Sequence, residues 1–214
     1  MMKITLNKKI LDKNEECAAG NGAFFKDNDI VCLNVISSPG SGKTTILSRT
    51  ITDIGDRLKI AVIEGDIKTD TDARKIRATG AAAVQIETQG SCHVSAAQVA
   101  RALGQIPAKD MDLIFIENVG NLVCPSDFNL GESGRVVVLS IPEGDDKPIK
   151  YPGTFAKADV ILINKMDLLE YIDFDMDKVI TDIRAVNKTA KVFHISATKG
   201  DGLKEWYKWL FDRI

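Results

Sequence analysis

The stretch "SSPGSGKTT", residues 37–45, narrows the choice of folds for this chain more than any other. It follows an apolar, β-branched run, "DIVCLNVIS" (29–37), and opens a segment with helical periodicity over 43–56. Strand, glycine-rich turn and helix in that order frame the phosphate-loop pattern G-x-x-x-x-G-K-S/T, here with Ser37 in place of the first glycine. Gly40 and Gly42 let the backbone around Ser41 curl, so that successive N–H groups converge on a phosphate. Lys43 brings a positive charge to the β/γ-phosphates, and the Thr44 hydroxyl is placed to ligate Mg2+, with Thr45 beside it. The positive end of the helix dipole adds to this attraction.

The rest of the chain supplies the matching architecture. Apolar runs recur at 59–64, 81–87, 112–118, 135–141, 158–164 and 191–196, and helical stretches are predicted at 70–79, 95–103, 175–187 and 202–211. Near-continuous apolar strands are expected where helices cover both faces of a sheet. The expectation is a three-layer α/β fold, a mostly parallel doubly wound sheet of about seven strands, as one domain over 29–214. Residues 1–28 are expected to form an extension with one short helix and a break at Gly20 and Gly22. Leu203, Trp206, Tyr207 and Leu210 recur at i, i+3, i+4 and i+7, a packing stripe in which Trp206 covers the core.

The base is read from the sixth run, which ends "NKMD", Asn164, Lys165, Met166 and Asp167. On open α/β sheets ligands sit at the carboxyl ends of strands. The Asp167 carboxylate can accept from guanine N1–H and the 2-amino group; adenine offers neither donor and would leave a buried carboxylate unpaired. "ISATKGDGL" (195–203), with Ser196 and Ala197, resembles the loop that packs over guanine O6 in GTP-binding proteins. GTP/GDP is therefore the expected nucleotide. The fourth run ends "IENVG": Glu117 is placed beside Mg2+, and the Gly120 N–H can sense a γ-phosphate. After the second run, "EGDIKTDTDARKI" offers Asp66, Asp70 and Asp72. Asp66 is read as a second Mg2+ contact. Asp72 either orients the attacking water or is a helix-start carboxylate favoured by the dipole.

Cys92 and His93 stand side by side in "TQGSCHVSAA", between the third run and a helix. A loop can turn both toward one ion, and a helix N-terminus would lower the Cys92 pKa. Cys124 lies seven residues beyond Glu117 and can run toward them if the strand order is the usual one. Two thiols and an imidazole form a soft set suited to Ni2+ or Zn2+. The same pattern also arises from incidental thiols, and three ligands are one short of a closed structural zinc site. Cys32, inside the first strand, reads as a small apolar group, Cys17 as no ligand, and His194 as a packed or hydrogen-bonded core residue.

"SSPGSGKTT", "EGDIKTDTDARKIRATG", "GSCH", "FIENVGNLVCPSDFNLGE", "EGDDKPIKYP" and "NKMDL" together resemble the hydrogenase nickel incorporation GTPase family, HypB. The resemblance implies a SIMIBI-class phosphate-loop GTPase that forms a nucleotide-dependent homodimer. It implies a metal motif at Cys92, His93 and Cys124; Lys43, Asp66, Asp72 and Glu117 are read as serving hydrolysis from their own places around the phosphates. It also implies nickel delivery to a hydrogenase large-subunit precursor alongside a HypA-type metallochaperone, with Lys147 and Lys150 near the dimer contact. Two family features are missing: an N-terminal C-x-x-C-G-C motif, where this chain has only Cys17, and a histidine-rich tract. The urease accessory GTPases of the same class carry a contiguous Cys-Pro-His; here Ser126 follows Cys124-Pro125. A small-molecule kinase is disfavoured by the guanine motif. A signalling GTPase with incidental thiols is the other alternative. Slow intrinsic hydrolysis is expected, because no arginine finger or positioned glutamine can be assigned.

The formal charge of −2 and pI near 5.8 leave no basic footprint for nucleic acid. No apolar run reaches the ~20 residues of a membrane helix. Four cysteines without framework spacing fit a reducing, cytoplasmic setting.

Overall fold

The computed structural model describes residues 6–66, 71–88 and 90–214. Chain order is α1 (Leu6–Asp27), β1 (Val31–Ser37), α2 (Lys43–Ile54), β2 (Ile60–Asp66), α3 (Thr71–Arg77), β3 (Ala82–Glu87), α4 (Ala96–Leu103), β4 (Leu113–Glu117), β5 (Gly134–Ser140), α5 (Lys147–Lys150), α6 (Pro152–Ala156), β6 (Val160–Asn164), α7 (Met176–Val186), β7 (Lys191–His194) and α8 (Leu203–Phe211). The strands form one sheet in the order β3-β2-β4-β1-β5-β6-β7. Every pairing is parallel, so the sheet is wholly rather than mostly parallel.

The apolar strands divide their side chains between two cores, as the period of two requires. Leu33, Val35, Val62, Phe115, Val138 and Leu162 face α2 and α8, where Trp206 is 1% exposed and donates from Nε1 to Thr50 Oγ1 at 3.1 Å. On the other face, Cys32, Ile63 and Ile114 pack with Phe25 of α1 and Val99 of α4, while Leu139 and Ile163 pack with Phe155 and Val179 of α6 and α7. Cys32 is fully buried, and burial holds its thiol well above the usual range.

Three expectations need correction. The N-terminal segment is a 22-residue helix that runs through Gly20 and Gly22. Gly22 serves close approach: a Cβ there would lie 3.5 Å from Gly131 O, and one on Gly131 would collide with Ala18 O. Two backbones meet at this point, and Gly131, at φ +86°, also needs the left-handed region. Second, His194 is exposed, because β7 is an edge strand paired only with β6. Third, α5 and α6 add helices that periodicity does not predict: at four and five residues, each with proline in its first turn, they are too short for a periodic signal.

Candidate functional site

The carboxyl ends of β1, β2, β4 and β6 open on one cavity of 480 Å3, lined among others by Gly40, Gly42, Lys43, Thr44, Thr45, Glu64, Asp66, Asp72, Glu117, Gly120 and Lys165. Gly40 and Gly42 hold φ of +77° and +99°, the left-handed conformation the turn demands. Lys43 Nζ donates to Ser37 Oγ at 2.9 Å, and Ser41 Oγ donates to the same hydroxyl. Ser37 is therefore more than a tolerated replacement for glycine, since its side chain anchors the loop lysine. Gly120 lies against the loop from the opposite side, where a Cβ would approach Pro39 Cα to 3.0 Å.

The guanine motif is tied to this loop. Asn164 Nδ2 donates to Ser41 O at 2.9 Å, and Lys165 Nζ to Gly40 O at 2.6 Å. Asn164 Oδ1 accepts from Ala197 N, and Ser196 Oγ donates to Asp167 Oδ1 at 2.6 Å, which orients the carboxylate. Lys165 takes φ +63°, a left-handed kink that turns the chain from β6 into the 3-10 turn Met166–Tyr171. All the residues expected around phosphate and base, from Gly40 to Ala197, meet at one sheet edge.

The acidic cluster differs in composition from the expectation. Glu64 and Glu117 face each other across β2 and β4, and with Asp72 their carboxylate oxygens lie within 4.8 Å of one another. Asp66 lines the same cavity but is not in that group. Asp70 lies outside the described residues. Thr44 Oγ1 donates to Glu117 Oε1 at 2.8 Å. Glu64 is 2% exposed and Glu117 3%, and each has an Oε2 without a hydrogen-bond partner. Burial and the neighbouring Glu117 push Glu64 up to about 10; burial also raises Glu117, opposed by Lys43 and Thr44. An all-oxygen set with two orphaned, buried carboxylate atoms fits a hard divalent cation such as Mg2+. Sequence reasoning passes over Glu64; the signal available is its place at the end of β2, next to the strand that carries Glu117. Asp72, at the start of α3, also pairs with Lys75 at 2.7 Å.

Cys92 and Cys124 are brought into contact. β2 separates β3 from β4, so the loop after β3 and the segment after β4 flank its end. The Cys92 thiol lies 3.7 Å from His93 Nδ1 and is near enough to the Cys124 thiol for the two to interact. That contact with Cys124 raises the Cys92 pKa, contrary to the lowering expected from a helix N-terminus. Burial lowers the His93 pKa, favouring the neutral imidazole that can ligate. Among the described residues, Glu64, Asp72 and Glu117 form the one group of three whose ligand atoms all lie within 4.8 Å. The two thiols and the imidazole touch pairwise through Cys92 without closing such a group. The Cys124 segment is braced by Thr154 Oγ1 donating to Leu122 O and by Lys157 Nζ donating to Ser126 O.

This arrangement can be compared with known proteins. Residues 31–194 match the family model described as CobW/HypB/UreG, nucleotide-binding domain. The hydrogenase maturation factor HypB of Azotobacter chroococcum is 50% identical over 207 residues, covering 97% of this chain and 68% of its own. The chain belongs to the HypB family. Two solved HypB structures, each 38% identical, share its fold. That from Archaeoglobus fulgidus has a TM-score of 0.89, covering 94% of this chain and 98% of its own. That from Helicobacter pylori, in complex with nickel, has a TM-score of 0.88 and covers 94% of each. HypB membership makes the site at the sheet edge that of a nucleotide-binding phosphate-loop protein. Among the described residues no helix is long and apolar enough to cross a membrane.

Proposed function

We propose that the chain is a GTP-hydrolysing metallochaperone that couples nucleotide state and dimerisation to nickel delivery during maturation of a nickel–iron hydrogenase. The observation that carries this reading is the contact of Cys92 with both His93 and Cys124, on loops that leave the two strands flanking the end of β2. The names of the relatives and the nickel in the Helicobacter pylori structure support it.

In this reading Gly40, Ser41, Gly42, Lys43, Thr44 and Thr45 hold the phosphates, and Asn164, Lys165, Asp167, Ser196 and Ala197 select guanine. Thr44, Glu117, Glu64 and Asp72 would hold Mg2+, with Asp66 at the rim of the group; when bound, the ion would neutralise charge on the phosphates. Lys43 stabilises charge on the transferring phosphoryl group, and Gly120 registers its presence. Asp72 or Asp66 orients the water. Cys92, His93 and Cys124 take the cargo, Ni2+ or, as an alternative occupant, Zn2+. A three-ligand site gives up its ion more readily than a closed four-ligand one, which suits transfer.

The homodimer is proposed across the metal and nucleotide face. Val123, Ile149 and Tyr171, three of the four exposed large hydrophobics among the described residues, all follow the carboxyl ends of β4, β5 and β6. Lys150 beside them is held by Asp146 at 2.5 Å. A HypA-type metallochaperone and the hydrogenase large-subunit precursor are the proposed donor and acceptor, in the cytoplasm, with neither nucleic acid nor membrane as partner. Metal analysis and sizing of the protein with GDP and with a GTP analogue test the reading. One nickel per chain, lost in Cys92→Ser and Cys124→Ser, together with a dimer in the analogue form, is the expected result. Stoichiometric metal retained in both variants would refute it.

A further inference from the structure

Between the nucleotide cavity and the cysteine pair lies a buried polar side chain with no role so far. Asn118, 1% exposed, directly follows Glu117. Its Oδ1 accepts from Val119 N at 3.0 Å and from Val94 N at 3.1 Å. Val119 precedes Gly120, and Val94 follows His93. One carbonyl oxygen thus binds the backbone that meets the γ-phosphate position and the backbone that carries the thiol–imidazole pair. Packing reinforces the junction: Val94 is fully buried, and a Cβ on Gly65 would collide with Val94 Cγ2 and lie 3.2 Å from Glu117 O. Gly65 stands between Glu64 and Asp66, so Val94 occupies a notch cut among the acidic residues.

The amide end of Asn118 starts a second path to the same place. Its Nδ2 donates to Asn34 Oδ1 at 3.1 Å, and Asn34 Nδ2 donates to Glu132 Oε1 at 3.2 Å. Arg135 Nε donates to that same Glu132 oxygen at 2.7 Å, while its Nη1 and Nη2 donate to Ser126 O and Phe128 O at 2.7 and 3.2 Å. Phe128 closes the ring by stacking on His93, with centroids 3.6 Å apart and planes 19° from parallel. Both ends of Asn118 therefore lead to the metal loops, one through Val94 and one through the segment after Cys124.

We propose that Asn118 is the positioning residue that makes the Cys92–His93 loop follow the nucleotide. Its oxygen serves two buried N–H groups. Moving Val119 and Gly120 toward or away from a phosphate drags Val94 along, because parting from either N–H would orphan a buried donor. The link is local, made of named hydrogen bonds, and biased by both sites, which is what a coupling element requires.

This inference rests on the coupling of metal and nucleotide proposed above, and the experiment separates the two. Ni2+ alone is titrated into the full chain loaded with GDP or with a non-hydrolysable GTP analogue and read by the thiolate–nickel charge-transfer band. The wild-type affinities are expected to differ by about tenfold between the two states. Asn118→Ala should bring that ratio to within about twofold of one, whereas a merely structural loss would weaken both states alike. Asn118→Asp, which keeps an acceptor for Val94 and Val119 but loses the donor to Asn34, should retain more of the ratio than Asn118→Ala. A wild-type ratio preserved in Asn118→Ala overturns the proposal and leaves the coupling intact; a wild-type ratio of one removes both. A measurement on the wild-type chain does not depend on how the variants fold. With no metal present, the Val94 amide resonance should shift when the analogue replaces GDP. A Val94 amide that stays put while Val119 and Gly120 move also overturns the proposal.

Discussion

Glu64 shows how a single carboxyl sets the pH behaviour of the metal-free protein. In the folded chain it keeps its proton up to about 10, whereas an unfolded glutamate releases it near 4.5. Across that window the native state holds the extra proton, so stability falls as pH rises, by at most ~1.4 kcal/mol per pH unit. Urea denaturation between about pH 6 and 9 should show this decline, and Glu64→Gln should flatten it. A slope unchanged in the variant would exclude Glu64 as its source. Base selection is tested at Asp167. Asp167→Asn keeps an acceptor for N1–H but sets a donor against the guanine 2-amino group, where xanthine has a carbonyl, so GTP affinity should fall by about a hundredfold while xanthosine triphosphate gains. Equal losses for both nucleotides would mean that Asp167 does not read the base. The phosphate loop and guanine motif are legible in the sequence because each packs several chemical demands into consecutive residues. The roles of Ser37 and Glu64 are not: Ser37 meets Ser41 and Lys43 only once the loop has curled back, and Glu64 becomes half of an acid pair only once β2 and β4 are in register.

At the level of helices and strands, the apolar runs locate all seven strands to within a few residues, because a strand covered on both faces has little polar interruption. Glycine misleads twice. Gly20 and Gly22 suggest a break in α1, yet the helix continues, tied down by Asn14 and Asn21. Asn14 Nδ2 donates to Asn129 O at 2.7 Å, and Asn21 Nδ2 donates to Ala96 O and Leu130 O, each at 2.9 Å. Their lengthwise spacing on α1 shows in the sequence, but their partners do not. Gly20 and Gly131 also differ in what a methyl group would do. A Cβ added at Gly20 would have nothing within 4 Å, so Gly20→Ala should stabilise by about 0.5–1 kcal/mol through helix propensity. Gly131→Ala, at φ +86° and driven into the α1 backbone, should destabilise by about 2 kcal/mol or more. Thermal melts of the two variants should move in opposite directions. A neutral Gly131→Ala would show that α1 does not pack on that turn.

Taken as a whole, the molecule sets its chemistry along one sheet edge, and the strand order explains why. With β2 between β3 and β4, the acidic pair, the backbone at Gly120 and the side chains of Cys92, His93 and Cys124 come from segments that follow neighbouring strands. The half-buried Glu132–Arg135 pair, at 2.7 Å with side chains 4% and 15% exposed, holds the segment after Cys124 in that frame. Removing one partner leaves a half-buried guanidinium without its carboxylate, so Glu132→Ala should cost about 1.5–3 kcal/mol of stability in chemical denaturation. The sequence reveals that thiols and imidazole are present, whereas their convergence requires the strand order and the bracing from Thr154, Lys157 and Arg135. The most direct test is a closed thermodynamic cycle on the wild-type chain: Ni2+ affinity with GDP and with the GTP analogue, and analogue-versus-GDP affinity with and without Ni2+. The account predicts that the same factor, about tenfold, appears on both legs. Equal nickel affinities in the two nucleotide states, with Cys92, His93 and Cys124 all engaged, would contradict it.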